Sequence, residues 1–269
     1  MTATVSAPTT RVTAADRVRS VALLLGAVLQ IVVGALGGSG ALGLSVGQVA
    51  QENTTVVMPV PAAFSIWGPI YAAVLLLAVR QVLPGQPGRA VHRATGWWLV
   101  ASTVFNAGWI LAFSAQAVVL AQVVIVGLLV VLAAALAQLT RLPAAGLADR
   151  LLLHGPVALY AGWVSVATVV GAATTGTFLG APGTGGVATV LGALVLLVTG
   201  AIAAAVVARG AGALPYAASV VWALAAIVVM GPPVAVVVAA LVALVAVLAT
   251  AVRRVLAAPP GRRVPAAFG

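Results

Sequence analysis

The chain reads as long apolar runs separated by short polar or breaker-rich segments. Eight stretches approach the ~20 apolar residues that carry a helix across a ~30 Å hydrocarbon core; they lie at roughly 20–38, 61–79, 96–114, 117–139, 151–173, 187–208, 213–230 and 232–252. In lipid every backbone polar group must be satisfied internally, so each run is predicted to be a helix. Breakers fall between the runs: Pro84 and Pro87, Pro143, Pro182 with Gly183, Gly210 and Gly212, then Gly231-Pro232-Pro233. The first run has 19 residues, longer than the ~7–15 of a signal-peptide core, and is expected to be kept as span one. The predicted fold class is all-α, a polytopic membrane helical bundle of about eight transmembrane helices.

Composition sharpens that reading. Of 269 residues, 63% are hydrophobic and 6% are charged, against about 25% charged in a soluble domain. Disorder is excluded, because it needs low hydrophobicity. All 13 basic residues are arginine, against three acids: Asp16, Glu52 and Asp149. Arg11, Arg17 and Arg19 precede span one. Arg80, Arg89 and Arg93 lie between spans two and three, Arg141 and Arg150 between four and five, and Arg209 between six and seven. Arg253, Arg254, Arg262 and Arg263 follow span eight, so every arginine falls on one side of an eight-span chain. The positive-inside rule makes that side cytoplasmic, with both termini inside. The net charge of +10 does not point to nucleic acid, because the arginines are scattered between apolar runs and not gathered on one soluble face. The tail from 253 reads as a basic topology anchor that meets anionic headgroups.

Much chemistry is excluded. The chain has no cysteine and no lysine, which removes thiol, disulfide, iron–sulfur and Schiff-base chemistry. No metal-ligand spacing occurs, and no Ser-His-Asp set lies at a motif spacing. No ionisable residue lies deep in a span, which argues against carboxylate-coupled pumping, a voltage sensor or a charged-ring pore. No catalytic residue and no cofactor is expected. His92 is expected to be a solvated loop residue, and His154 to lie at the inner interface beside Asp149 and Arg150.

The aromatic residues carry more information. At ~1.5 Å per residue, Trp67 lies roughly 9 Å and Tyr71 roughly 15 Å below the outer edge of span two. By the same measure Trp109 lies roughly 8 Å and Asn106 roughly 12 Å below the outer edge of span three. Phe105, Trp109 and Phe113 recur at helical spacing and share one face. Tyr160 and Trp163 fall near the midplane of span five. Large flat rings from three spans thus sit in the outer half, beneath the longest outer loop at about 39–60. Aromatic-lined concavities with a few polar groups suit flat apolar ligands. Bundle packing is the plainer reading of the same pattern. Asn106 could equally join two helices by a hydrogen bond. Trp97 and Trp98 read as an interface belt, and Trp222 as packing. Gly34 and Gly38 form a small-xxx-small face, suited to close packing or to a homodimer.

These aromatic segments resemble the tryptophan-rich sensory protein family, also called the translocator protein or peripheral benzodiazepine receptor family. Trp67 and Tyr71 match its helix-two pair. Asn106, Trp109 and Phe113 match its helix-three pattern, and Tyr160, Trp163, Val164 and Ala167 its helix-five pattern. The string PAAFSIWGPIY, residues 61–71, resembles the longer bacterial branch. The family's earlier tryptophan has no counterpart at 59–66, its helix-five asparagine falls at Gly171, and its sterol motif is absent. The resemblance implies a bacterial cytoplasmic membrane and a five-helix core at 18–175. Around it would stand a cytoplasmic arm at 1–17, a three-helix extension at 187–252 and a basic tail at 253–269. It implies a pocket for a flat hydrophobic molecule such as a porphyrin or other tetrapyrrole, with a sensory or transport role. The expected lining is Phe64, Trp67, Tyr71, Asn106, Trp109, Tyr160 and Trp163, with loop 39–60 as a lid. The alternatives are a permease that uses all eight helices, or a non-catalytic membrane assembly partner. Enzymatic activity has only the family analogy of tryptophan-assisted photochemical porphyrin breakdown behind it.

Overall fold

A computed structural model describes residues 11–269; residues 1–10, part of the expected arm, lie outside the described residues. The protein is all-helical, a membrane helical bundle, with no strand among the described residues. The apolar helices of the bundle are α1 (Ala14–Ser39), α3 (Trp67–Val82), α4 (Ala90–Ser114), α5 (Val118–Arg141), α7 (Gly155–Phe178), α8 (Gly185–Arg209), α9 (Ala213–Val229) and α10 (Val234–Ala257). Short helices stand outside them: α2 (Val46–Glu52), α6 (Leu147–Asp149) and α11 (Arg263–Phe268). Seven segments have the length and hydropathy of a membrane span, when residues 61–66 are counted with α3 and 147–154 with α7; α9 has 17 residues, about 26 Å at 1.5 Å per residue. Leu25, Val123, Leu191 and Val234 are each more than 60% exposed. Aliphatic side chains in continuous outward bands fit lipid, not water.

Local chemistry sets the ends. Thr13 caps α1: its Oγ1 accepts from the Asp16 amide at 3.2 Å, and Asp16 Oδ2 accepts from the Thr13 amide at 3.0 Å. This reciprocal pair satisfies two otherwise free backbone donors. The helix therefore begins at Ala14, six residues before the predicted span. Residues 61–66 form a 3₁₀ segment, and the α-helix starts only at Trp67. Pro69 has no N–H for the Ser65 carbonyl, and proline is tolerated in a first helical turn but not in a helix interior. Pro156 has a comparable effect at the start of α7. Residues 150–154 form a single π turn, in which the Gly155 N–H reaches back to the Arg150 carbonyl. Gly212, at φ +66°, caps the start of α9, a left-handed geometry that favours glycine.

α4 packs between α1 and α5, α7 packs on α5 and α9, and α10 packs on α8 and α9. Small residues permit the closest approaches. A Cβ at Gly200 would stand 2.5 Å from the Ala243 Cβ across the α8–α10 contact. One at Gly162 would stand 2.6 Å from the Tyr216 carbonyl oxygen across α7–α9. Gly34 accommodates the Tyr71 ring, whereas Gly38 has nothing within 4 Å.

The arginine-bearing face is tied by two carboxylates. Asp16 pairs with Arg19 at 2.9 Å and with Arg93 at 2.6 Å, joining α1 to α4. Asp149 pairs with Arg80 and Arg89, each at 2.5 Å, joining α6 to α3 and to the segment before α4. Hydrogen bonding to this carboxylate raises the affinity of the Arg89 guanidinium for its proton above the ordinary value. One expectation is corrected here. His92 is not solvated: it is 1% exposed inside α4, with Nε2 3.3 Å from Gln86 Oε1. α4 begins six residues before the predicted span, and its polar first turns are covered by neighbouring helices.

Candidate functional site

The site lies in the half of the bundle away from the arginine face. The 3₁₀ segment delivers Phe64, and the first turns of α3 deliver Trp67 and Tyr71 on one face. Their rings stack at 5.4 Å with a 26° tilt. In α4, Trp109 and Phe113 stack at 5.6 Å and 18°. Tyr160 and Trp163 project from α7. Trp67 is the hub, with its ring centroid 5.8 Å from Trp109, 5.9 Å from Tyr160 and 6.1 Å from Trp163. The last two contacts are edge-to-face at 81° and 84°, as is Phe64 on Trp163 at 6.2 Å and 80°. All fall in the range where aromatic pairs add about 0.5–1.5 kcal/mol beyond burial.

The seven expected side chains therefore converge, but as a packed wall rather than around one hollow. A cavity of about 280 Å³ lies on one side, bounded by Gly34 and Gly38 of α1, Ser45 and Gly47 of the α1–α3 connection, and Phe64, Trp67, Tyr71 and Trp109. An apolar cavity of about 50 Å³ lies on the other, bounded by Met58, Phe64, Trp109, Phe113, Trp163 and Gln122, with Ala223 and Ile227 of α9. Phe64 and Trp109 stand in both walls. Asn106 and Tyr160 border neither cavity and sit behind the rings, 0% and 1% exposed.

Polar atoms are few and specific. The Tyr71 hydroxyl donates to Asn106 Oδ1 at 3.2 Å. Asn106 Nδ2, the Tyr160 hydroxyl and Trp163 Nε1 are buried with no hydrogen-bond partner in the protein. All three can donate. Gln122 donates to the Thr168 carbonyl at 3.2 Å, while its Oε1 has no partner. No charged side chain borders either cavity. The cluster can therefore stack flat apolar surface and offer neutral donors; it has no acid–base pair.

The set of three C-terminal helices braces this wall. Trp222 Nε1 of α9 donates to the Ala63 carbonyl at 3.0 Å, fixing the segment that carries Phe64. The Val60 amide donates to the Ala226 carbonyl at 3.2 Å, and the Val56 amide to the Gly183 carbonyl at 3.0 Å. Loop 39–60 holds the short α2, capped by a reciprocal Ser45–Gln48 pair. Sequence reasoning missed Gln122, Ala223, Ile227 and the bracing role of Trp222. An amide near the start of the aliphatic span four, far from Gln138 at its other end, was the one available signal for Gln122. The α9 residues look like any other lipid-span residues until the helix is placed.

A family model described as TSPO-like protein matches residues 20–253. The chain belongs to the TSPO-like family. The match runs from α1 into α10, with α8 and α9 included, so the helices that brace the aromatic wall fall within the family's extent. No curated protein and no solved structure matched the chain. Within the TSPO-like sequence the half-buried Trp97 and Trp98 face outward, 52% and 41% exposed, where an interface belt would lie.

Proposed function

We propose that this integral membrane protein binds a flat hydrophobic molecule, tetrapyrrole-like in shape, against the aromatic wall, in a sensory or transport role. The observation that carries the reading is the meeting of rings from three separate segments around three buried donors with no protein acceptor. A buried donor left unmet costs about 1–3 kcal/mol, so an acceptor-bearing ring system has a reason to enter. Phe64, Trp67, Tyr71, Trp109 and Trp163 would supply stacking surface. The Trp163 indole would supply direction, joined by Asn106 and Tyr160 once the rings in front of them move.

Cavities of about 50 and 280 Å³ fall below the ~300–1,000 Å³ of drug-sized ligand sites. Entry therefore requires the wall or the 39–60 lid to move, with Phe64 and Trp109 as the shared partition. In this reading the arginine face is cytoplasmic by the positive-inside rule, the membrane is a bacterial cytoplasmic one, and α1 to α7 form the ligand-bearing core. A permease is the second reading. It is favoured by the α9 residues Ala223 and Ile227 in the wall of the smaller cavity, which bring the C-terminal helices into the site.

Titration of purified protein with protoporphyrin should quench tryptophan fluorescence saturably. The Trp67→Ala/Trp163→Ala double variant should weaken binding at least tenfold, and unchanged affinity would refute this wall as the site. Flux of the porphyrin into liposomes would select the permease reading over a pure binder.

A further inference from the structure

We infer that the arginine face carries a built site for an anionic phospholipid headgroup, remote from the aromatic wall. A cavity of about 360 Å³ opens between the end of α5, the α8–α9 turn, the end of α10 and the tail. Three arginines from three different segments line it: Arg209, Arg254 and Arg262. No carboxylate side chain lines it. Arg254 is anchored, with Nη1 donating to the Val207 and Gly210 carbonyls at 2.5 and 2.6 Å. Those carbonyls end α8, where a cation is favoured by the helix dipole. The remaining guanidinium donors are left for another acceptor. Gly269 borders the cavity too, its carbonyl oxygen accepting from Arg150 Nε at 3.0 Å.

The distribution of the acids makes this cluster unusual. Asp16 is held by Arg19 and Arg93, and Asp149 by Arg80 and Arg89. Glu52 is remote, on the opposite face, where it accepts from Gln116. The chain has no other acidic side chain, so none is left to neutralise Arg209, Arg254 and Arg262. Three converging cations with no acidic side chain among them call for an anion from outside, since the backbone oxygen of Gly269 at the rim is already engaged by Arg150. A lipid is indicated over a free ion by what adjoins the cavity. A wider concavity shares Arg254, adds Arg253, and is floored by the apolar Leu256 and Ala257 at the lipid-facing end of α10. A phosphate among the arginines would then have acyl chains running along aliphatic surface. Basic pockets between membrane helices on this side suit such headgroups.

The test is native mass spectrometry of detergent-purified protein offered phosphatidylglycerol or phosphatidylcholine with identical chains. Wild type should retain the anionic lipid at least tenfold better. Arg209→Gln/Arg262→Gln should abolish the preference, at roughly fivefold per arginine. The Arg11→Gln/Arg17→Gln control removes equal charge from exposed positions outside the cavity and should leave the preference intact. Arg209 and Arg262 are exposed, so the folded state should survive their loss, and Arg262→Gln alone should show a smaller decrease in the same direction. Equal retention of both lipids by wild type would overturn the inference. So would a control as impaired as the cavity variant, since that means diffuse surface charge. Displacement of phosphatidylglycerol by millimolar inorganic phosphate would reassign the site to a free anion.

Discussion

The helices α1 to α7 and the helices α8 to α10 cross the same kind of solvent but are held together differently. The first set concentrates both structural ion-pair clusters, the aromatic wall and nearly all the buried polar side chains. In the second, α8 and α10 meet almost wholly through Ala, Val, Leu and Gly, with Gly200 packed on Ala243. The aromatic chemistry sits in one set, and the other, apart from the arginines at its ends, supplies close-packed support for it. The difference shows that a set of helices can shape a site without contributing chemistry to it: α9 lends two aliphatic residues and one indole hydrogen bond, and these position the segment bearing Phe64.

The largest effect should come from the ion-paired set. Asp149→Asn leaves Arg80 and Arg89, whose side chains are 12% and 26% exposed, without their carboxylate. Removing one partner of a buried pair costs about 3–5 kcal/mol. Thermal unfolding in detergent should show the loss, and additional Arg80→Gln/Arg89→Gln replacement should recover part of it. An unaffected midpoint would mean that this set is not held by its charges.

A smaller loss should follow from overpacking the other set. Gly200→Leu drives a side chain into the Ala243 backbone and Cβ, at a cost of about 1–3 kcal/mol. The same melting assay should detect it, and ligand binding to the surviving folded fraction should stay near wild type, since α8 and α10 do not line the aromatic wall.

The smallest and most discriminating change is Trp222→Phe. It keeps an aromatic ring, smaller than the indole, and deletes the hydrogen bond to Ala63, worth about 1 kcal/mol. Porphyrin affinity should fall severalfold with little change in stability. Unaltered affinity would separate the C-terminal helices from the site and erase the link between the two sets.

Hydropathy located the helices well because the burial of apolar surface in lipid is a property of each stretch alone. It placed their ends less well. α1 and α4 each begin six residues before the apolar run, where caps and neighbouring helices cover polar turns. His92 looked solvated for that reason. Ring depth followed from counting ~1.5 Å per residue, so the gathering of Trp67, Trp109, Tyr160 and Trp163 in one half of the bundle was readable in advance. Whether the rings enclose space or fill it was not readable, because depth is set along each helix while contact is set by rotation and interhelical distance.

The sequence by itself determined the all-helical membrane bundle, its sidedness of charge and the level at which its aromatic residues gather. These rest on local hydrophobicity, on where arginines interrupt it, and on the fixed rise of a helix. Only the tertiary structure decided that Asp149 reaches Arg80 and Arg89, that the rings form a wall between two cavities, and that Trp222 fastens the segment before α3. Each of these joins residues far apart in the chain. Packing side chains from several helices at once selects which neighbours touch, and no single stretch carries that information.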